Sequence, residues 1–98
     1  MFVHSVYFWL KRDLSSDQIA AFEKDLNALQ EIETVKRANI GNPAPTDRPV
    51  IDRTYDYALI LAFEDKAGHD TYQTHPIHDT FVENNGQHIL KVQIYDVV

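Results

Sequence analysis

The chain has 98 residues, 44% of them apolar and 24% charged, which is enough for one domain around a single core. Nine basic against fifteen acidic side chains leave a net charge of −6, which argues against a phosphate-backbone footprint and so against nucleic acid as a partner. There is no cysteine, which excludes disulfides, thiol nucleophiles and cysteine metal sites and agrees with an expected cytoplasmic location.

The amino terminus, Met1-Phe2-Val3-His4 through Lys11-Arg12, is apolar before it is basic and has no small-residue cleavage site. It does not resemble a secretory signal, and no apolar run reaches membrane-spanning length, so no membrane partner is expected. Residues 2 to 11 alternate with apolar side chains in both sets. Phe2, Val6, Phe8 and Leu10 fall on one side and Val3, Tyr7 and Trp9 on the other, the pattern of a strand buried on both faces.

Leu14-Ser15-Ser16-Asp17 offers N-cap residues for a helix whose apolar stripe is Ile19, Phe22, Leu26 and Leu29, ending near Glu31. A second strand is expected over Thr34 to Ile40. It is followed by a stiff polar loop, residues 41 to 54, that carries Pro43, Pro45 and Pro49 and is either a functional cover or a plain surface excursion. Tyr55 to Phe63 forms a third strand, with Tyr57, Leu59, Leu61 and Phe63 against Ala58, Ile60 and Ala62, again apolar on both faces.

Glu64-Asp65 caps a short helix running through Gln73, and Pro76 opens a second one that stops near Gly86. Residues 88 to 97 supply the last strand, with Leu90, Val92 and Ile94 alternating against Lys91, Gln93 and Tyr95. This order predicts an α+β, ferredoxin-like, four-stranded antiparallel sheet with helices on one face. Helices cover one face only, so the Trp9, Val3 and Ala58/Ile60/Ala62 side needs another cover. A face-to-face homodimer of two such sheets, an α+β barrel, is the simplest one.

The densest chemistry lies in Tyr72-Gln73-Thr74-His75-Pro76-Ile77-His78. Pro76 suits the first helical position and pushes His75 out of the α region, while the helix N-terminus biases His78 toward the neutral form that accepts a proton. His4 shares the parity of Val6 and Phe8 and points into an apolar layer, where a polar ring needs a partner. Convergence of His4, Tyr57, Tyr72 and His78 would make an apolar pocket able to take a proton from an acidic C–H and to hydrogen-bond the enolate. Phe8, Leu59, Tyr57 and His75 are the expected substrate contacts, and His4, Tyr72 and His78 the expected catalytic set. His75 and His78 lack a third ligand at defined spacing, so neither a metal nor another cofactor is expected. His69 and His88 read as solvated surface residues.

Several segments together resemble the stress-responsive A/B barrel (Dabb) family across nearly the whole chain. They are His4 with the strand ending Leu10-Lys11, Tyr55-Asp56-Tyr57, Phe63-Glu64-Asp65, Tyr72…His75-Pro76…His78, and Val92-Gln93-Ile94-Tyr95-Asp96. The resemblance implies a ferredoxin-like subunit in a dimeric α+β barrel. It also implies a family in which many members have no known activity, while one plant member cyclises a linear polyketide without a cofactor. Carried over from that member, His78 is the base and Tyr72 its phenolic partner; Tyr57 departs, since the cyclase has histidine there. Two functions follow as expectations. One is a dimer with a small apolar or aromatic ligand in its pocket, acting as a cofactor-independent lyase or cyclase. The other is a non-catalytic stress-responsive or structural dimer.

Overall fold

The computed structural model describes residues 1–98. Four strands, β1 (Phe2–Leu10), β2 (Val35–Gly41), β3 (Tyr57–Phe63) and β4 (Ile89–Val97), and three helices, α1 (Ser16–Ala28), α2 (Lys66–Gln73) and α3 (Pro76–Asn85), follow in the order β1-α1-β2-β3-α2-α3-β4. The strands form one sheet in the order β2-β3-β1-β4, and every neighbouring pair is antiparallel. The expected ferredoxin-like architecture is therefore the observed one, and no helix is long and apolar enough to cross a membrane.

Local chemistry explains the element ends. Ser15 and Gln18 form a reciprocal capping box at the start of α1, satisfying two backbone N–H groups that the first turn leaves free. Beyond Ala28 the chain tightens into a 3₁₀ turn, Leu29–Glu31, which keeps Leu29 on the buried stripe with Phe22 and Leu26. Asp65 caps α2 by accepting from Gly68 N at 3.0 Å. At the far end of α3, Gly86 is not a left-handed stop: its φ of −54° is right-handed, and the chain continues into a 3₁₀ turn before β4. β3 begins at Tyr57, two residues later than its composition indicates, because Asp56 is occupied in pinning the end of β1. Its backbone N–H donates to Phe8 O, and its carboxylate accepts from Leu10 N and from Arg12.

Register fixes which residues share a face. Phe2, His4, Val6 and Phe8 lie opposite Phe63, Leu61, Leu59 and Tyr57, and Val6 and Phe8 also face Ile94 and Val92 of β4. This face receives the helices: Phe22 of α1 stands edge-on to Phe8 and Phe81, at 5.6 Å from each. Asn85 ties α3 to α1 by donating to Asp25 at 2.9 Å. The odd-numbered residues of β1 are half-buried rather than fully covered, and β4, an edge strand, is largely exposed.

The proline-bearing loop is a cover, but over the opposite face from the helices. Tyr55 packs on Tyr7 at 5.0 Å, and Thr54 accepts from the Trp9 indole at 2.9 Å. Lys91 completes the cluster, its ammonium 4.5 Å from the Trp9 ring. The loop thus shields one end of the helix-free face; it lends Asn42 to a small cleft beside Ile19 of α1, and none of its residues lines the larger cavity between the sheet and the α2–α3 corner.

Candidate functional site

Between the sheet and the α2–α3 corner lies a cavity of about 460 Å³. Val6, Phe8 and Leu59 form its apolar floor, and Val82 and Leu90, both more than half exposed, edge its mouth. Its polar lining comes mainly from His4, Tyr72 and His78.

Each of these three arrives by a different local rule. His4 is carried inward by strand alternation, Tyr72 by the last turn of α2, and His78 by the first turn of α3. Pro76 sits at the start of α3, and His75 before it is extended, with φ −69° and ψ 143°, as a pre-proline residue should be.

The rings form a chain of edge contacts. Tyr72 and His78 are 5.0 Å apart at 76°, and His4 lies 5.7 Å from Tyr72. His4 Nδ1 donates to Asp96 Oδ1 at 2.5 Å, which satisfies the buried ring and directs Nε2 away from the carboxylate. No protein group hydrogen-bonds His78 or the Tyr72 hydroxyl, so both are free to meet a ligand.

Burial is the main electrostatic influence. It lowers the pKa of His78, reinforced by His4 and His69 and opposed by Asp79. It also lowers that of His4 against the raising effect of Asp96. Burial raises the Tyr72 hydroxyl, which stays protonated and able to donate throughout the neutral range.

A histidine whose folded pKa lies below its unfolded value binds fewer protons in the folded state. The stability it contributes is complete above about pH 6.5 and falls as the pH drops through that value toward the folded pKa. The urea midpoint should therefore decrease between about pH 7 and pH 5. In His78→Ala the decrease should be smaller, because one of the two contributing rings is gone.

Phe8 and Leu59 line this cavity as expected, but Tyr57 and His75 do not. Tyr57 faces a separate cleft of about 250 Å³ with Leu10, Ile19 and Asp56. Burial and the nearby Glu23 carboxylate push its pKa up to about 12. The His75 ring is committed to capping: Nδ1 accepts from Ile77 N at 3.1 Å, and Nε2 faces Glu33 Oε2 at 3.3 Å.

His69 corrects the expectation of a solvated ring. Only 13% of its side chain is exposed, and it packs 4.6 Å from Phe2 and 4.8 Å from His4. His88 is likewise half-buried at the foot of β4. Two signals could have found the missed residues. His69 is three positions before Tyr72 and so shares its helix face, and Asp96 shares the parity of Val92 and Ile94.

The family model described as the stress responsive A/B barrel domain matches residues 2–98. A Dabb family protein with a ferredoxin-like fold from Mesorhizobium loti is 27% identical, with a TM-score of 0.80 over 99% of this chain and 94% of that one. The hydroxynitrile lyase from Passiflora edulis is 22% identical, with a TM-score of 0.79 over 98% of this chain and 90% of the other. A dimeric ferredoxin-like protein of unknown function from Thermobifida fusca is 19% identical, with a TM-score of 0.79 over 99% and 89%. No curated protein sequence shows significant similarity to this chain.

Proposed function

Because the chain belongs to the stress-responsive A/B barrel domain family, we propose that it is a homodimer whose subunits each bind a small apolar or aromatic carbonyl compound and act on it as a lyase or cyclase without a cofactor. The observation that carries this reading is a neutral-biased His78 beside an unpartnered Tyr72 hydroxyl in a largely apolar cavity. His78 takes a proton from the substrate, the electron pair moves onto the carbonyl oxygen, and Tyr72 donates a hydrogen bond to that oxyanion. In a cyclase the enolate carbon then attacks a second carbonyl of the same molecule, the C–C bond forming as that carbonyl's π pair moves onto its oxygen, and His78 returns the proton to the resulting alkoxide. In a lyase the same bonds are traversed in reverse, His78 taking the hydroxyl proton as the C–C bond breaks. The cavity size suits one small ligand, and its apolar floor strengthens both polar interactions by excluding water.

The dimer reading rests on the sheet face without helices. Val3, Tyr7 and Trp9 are only half-covered there, beside the small Ala58 and Ala62. Such a face fits a second copy of itself, and the Thermobifida fusca protein of the same fold is described as dimeric.

The test is a titration with small aromatic ketones, aldehydes and polyketide-like diketones, following the imidazole resonances of His4 and His78 by NMR and assaying each sample for product. The reading expects at least one compound that shifts both rings and is converted. Binding without conversion across the panel would favour the non-catalytic alternative. Compounds that shift neither ring would overturn the pocket assignment.

A further inference from the structure

We propose that His4, His69 and Asp96 form a binding site for a divalent transition-metal ion such as Zn²⁺, beside the cavity, to whose wall only His4 of the three contributes. One ring nitrogen of each histidine and a carboxylate oxygen of Asp96 all lie within 4.8 Å of one another. Residues from three elements, β1, α2 and β4, thus bring two imidazoles and one carboxylate to a single point. This donor set suits borderline ions of the Zn²⁺, Co²⁺ and Fe²⁺ kind and is a poor match for Mg²⁺ or Ca²⁺, which favour all-oxygen shells.

A second observation points the same way. His69 Nε2 is buried and has no hydrogen-bond partner, the one buried side-chain polar atom in the chain left in that condition. An orphaned buried group of this kind is costly and calls for a ligand. Its other nitrogen is engaged: Nδ1 lies 3.0 Å from Asp70 Oδ1, and Asp70 is itself held by Lys66 at 2.7 Å. A carboxylate on Nδ1 keeps the proton there and leaves the Nε2 lone pair free, the arrangement by which carboxylates orient metal-binding histidines.

A tetrahedral site with bonds of about 2.1 Å has edges of about 3.4 Å, so an ion would draw the His69 ring inward while the 2.5 Å hydrogen bond between His4 Nδ1 and Asp96 opens and its proton is released, as metal binding requires of its ligands. Entry is available from the β4 edge, where the Asp96 side chain is 40% exposed. The site does not depend on the catalytic reading, since neither His78 nor the Tyr72 hydroxyl belongs to it.

The experiment is calorimetric titration of the full chain with Zn²⁺ and with Mg²⁺, together with visible absorption on adding Co²⁺. One Zn²⁺ per chain, a four-coordinate Co²⁺ spectrum and much weaker Mg²⁺ uptake are expected. His69→Gln and Asp96→Asn should each weaken Zn²⁺ binding by roughly tenfold or more, and Asp70→Asn, on an exposed positioning carboxylate, by about ten- to a hundredfold. His88→Ala should bind as the wild type does. Asp96 and Asp70 are solvent-accessible, so their variants carry the test even if His69→Gln fails to fold. Zn²⁺ binding that all three variants leave unchanged, that His88→Ala abolishes, or that is absent from the wild type would overturn the assignment. Ligand conversion without Zn²⁺ uptake would sink the metal site and leave the proposed function standing.

Discussion

Phe22→Ala should cost the fold about 3–5 kcal/mol, the range for truncating a fully buried aromatic ring, against a total stability of about 5–15 kcal/mol for a domain of this kind. Phe22 has no exposed surface and stands where α1, α3 and the sheet meet. Its ring is 5.6 Å from Phe8, 5.6 Å from Phe81 and 5.3 Å from Tyr57. Three neighbours held by three separate elements cannot all move into the vacated space, so most of the cavity should persist and add to the lost transfer energy. Urea unfolding measures the difference: the midpoint should fall sharply with an unchanged slope, while Val50→Ala, on a residue 81% exposed, should shift stability by no more than about 0.5 kcal/mol. A Phe22→Ala loss below about 1 kcal/mol would show that the three elements collapse freely onto one another.

That packing is where sequence reading succeeds best, and the reason is periodicity. Phe2, Val6, Phe8 and Leu10 on one strand and Phe22, Leu26 and Leu29 on one helix each repeat at the spacing of the element that buries them. Capping chemistry is equally local. The Ser15 and Asp65 caps and the Pro76 start depend on neighbours within three residues, so the element ends were within reach of the sequence.

Register is not local, and the site depends on it. Tyr57 has the same parity as Leu59 and Leu61, yet it pairs with Phe8 while Leu61 pairs with His4. Although Phe8 and the nearby Leu59 both line the cavity, the Tyr57 ring packs 5.3 Å from Phe22 of α1 and opens onto the cleft beside Leu10 and Ile19 instead. His75 fails for a competing demand: the extended residue before a proline is also the N-cap, and the free Ile77 N–H claimed its ring. His69 shares the face of α2 that Tyr72 marks three positions on, and its contacts with Phe2 and His4 show that face to be the buried one.

His78→Ala should lower turnover of a converted ligand by about 10²–10⁴-fold, the usual contribution of a positioned general base, with its affinity changed only about threefold. In barrier terms this is about 3–5 kcal/mol, well beyond what the loss of one ring contact to Tyr72 would produce. Tyr72→Phe separates chemistry from packing still more cleanly. The Tyr72 hydroxyl bonds to no protein group, so removing it should leave thermal stability nearly unchanged. If the hydroxyl stabilises an oxyanion, turnover should nonetheless fall by about 10²-fold. The pH profile supplies a third readout. Burial holds the His78 pKa below its ordinary value of 6.5, so kcat/KM should be flat through neutrality and decline only below about pH 6.5. Tyr72, raised by burial, should add no second inflection in the neutral range. Equal turnover in His78→Ala and wild type would remove His78 as the base, and a Tyr72→Phe protein that lost stability but not rate would make the phenol part of the core rather than of the chemistry.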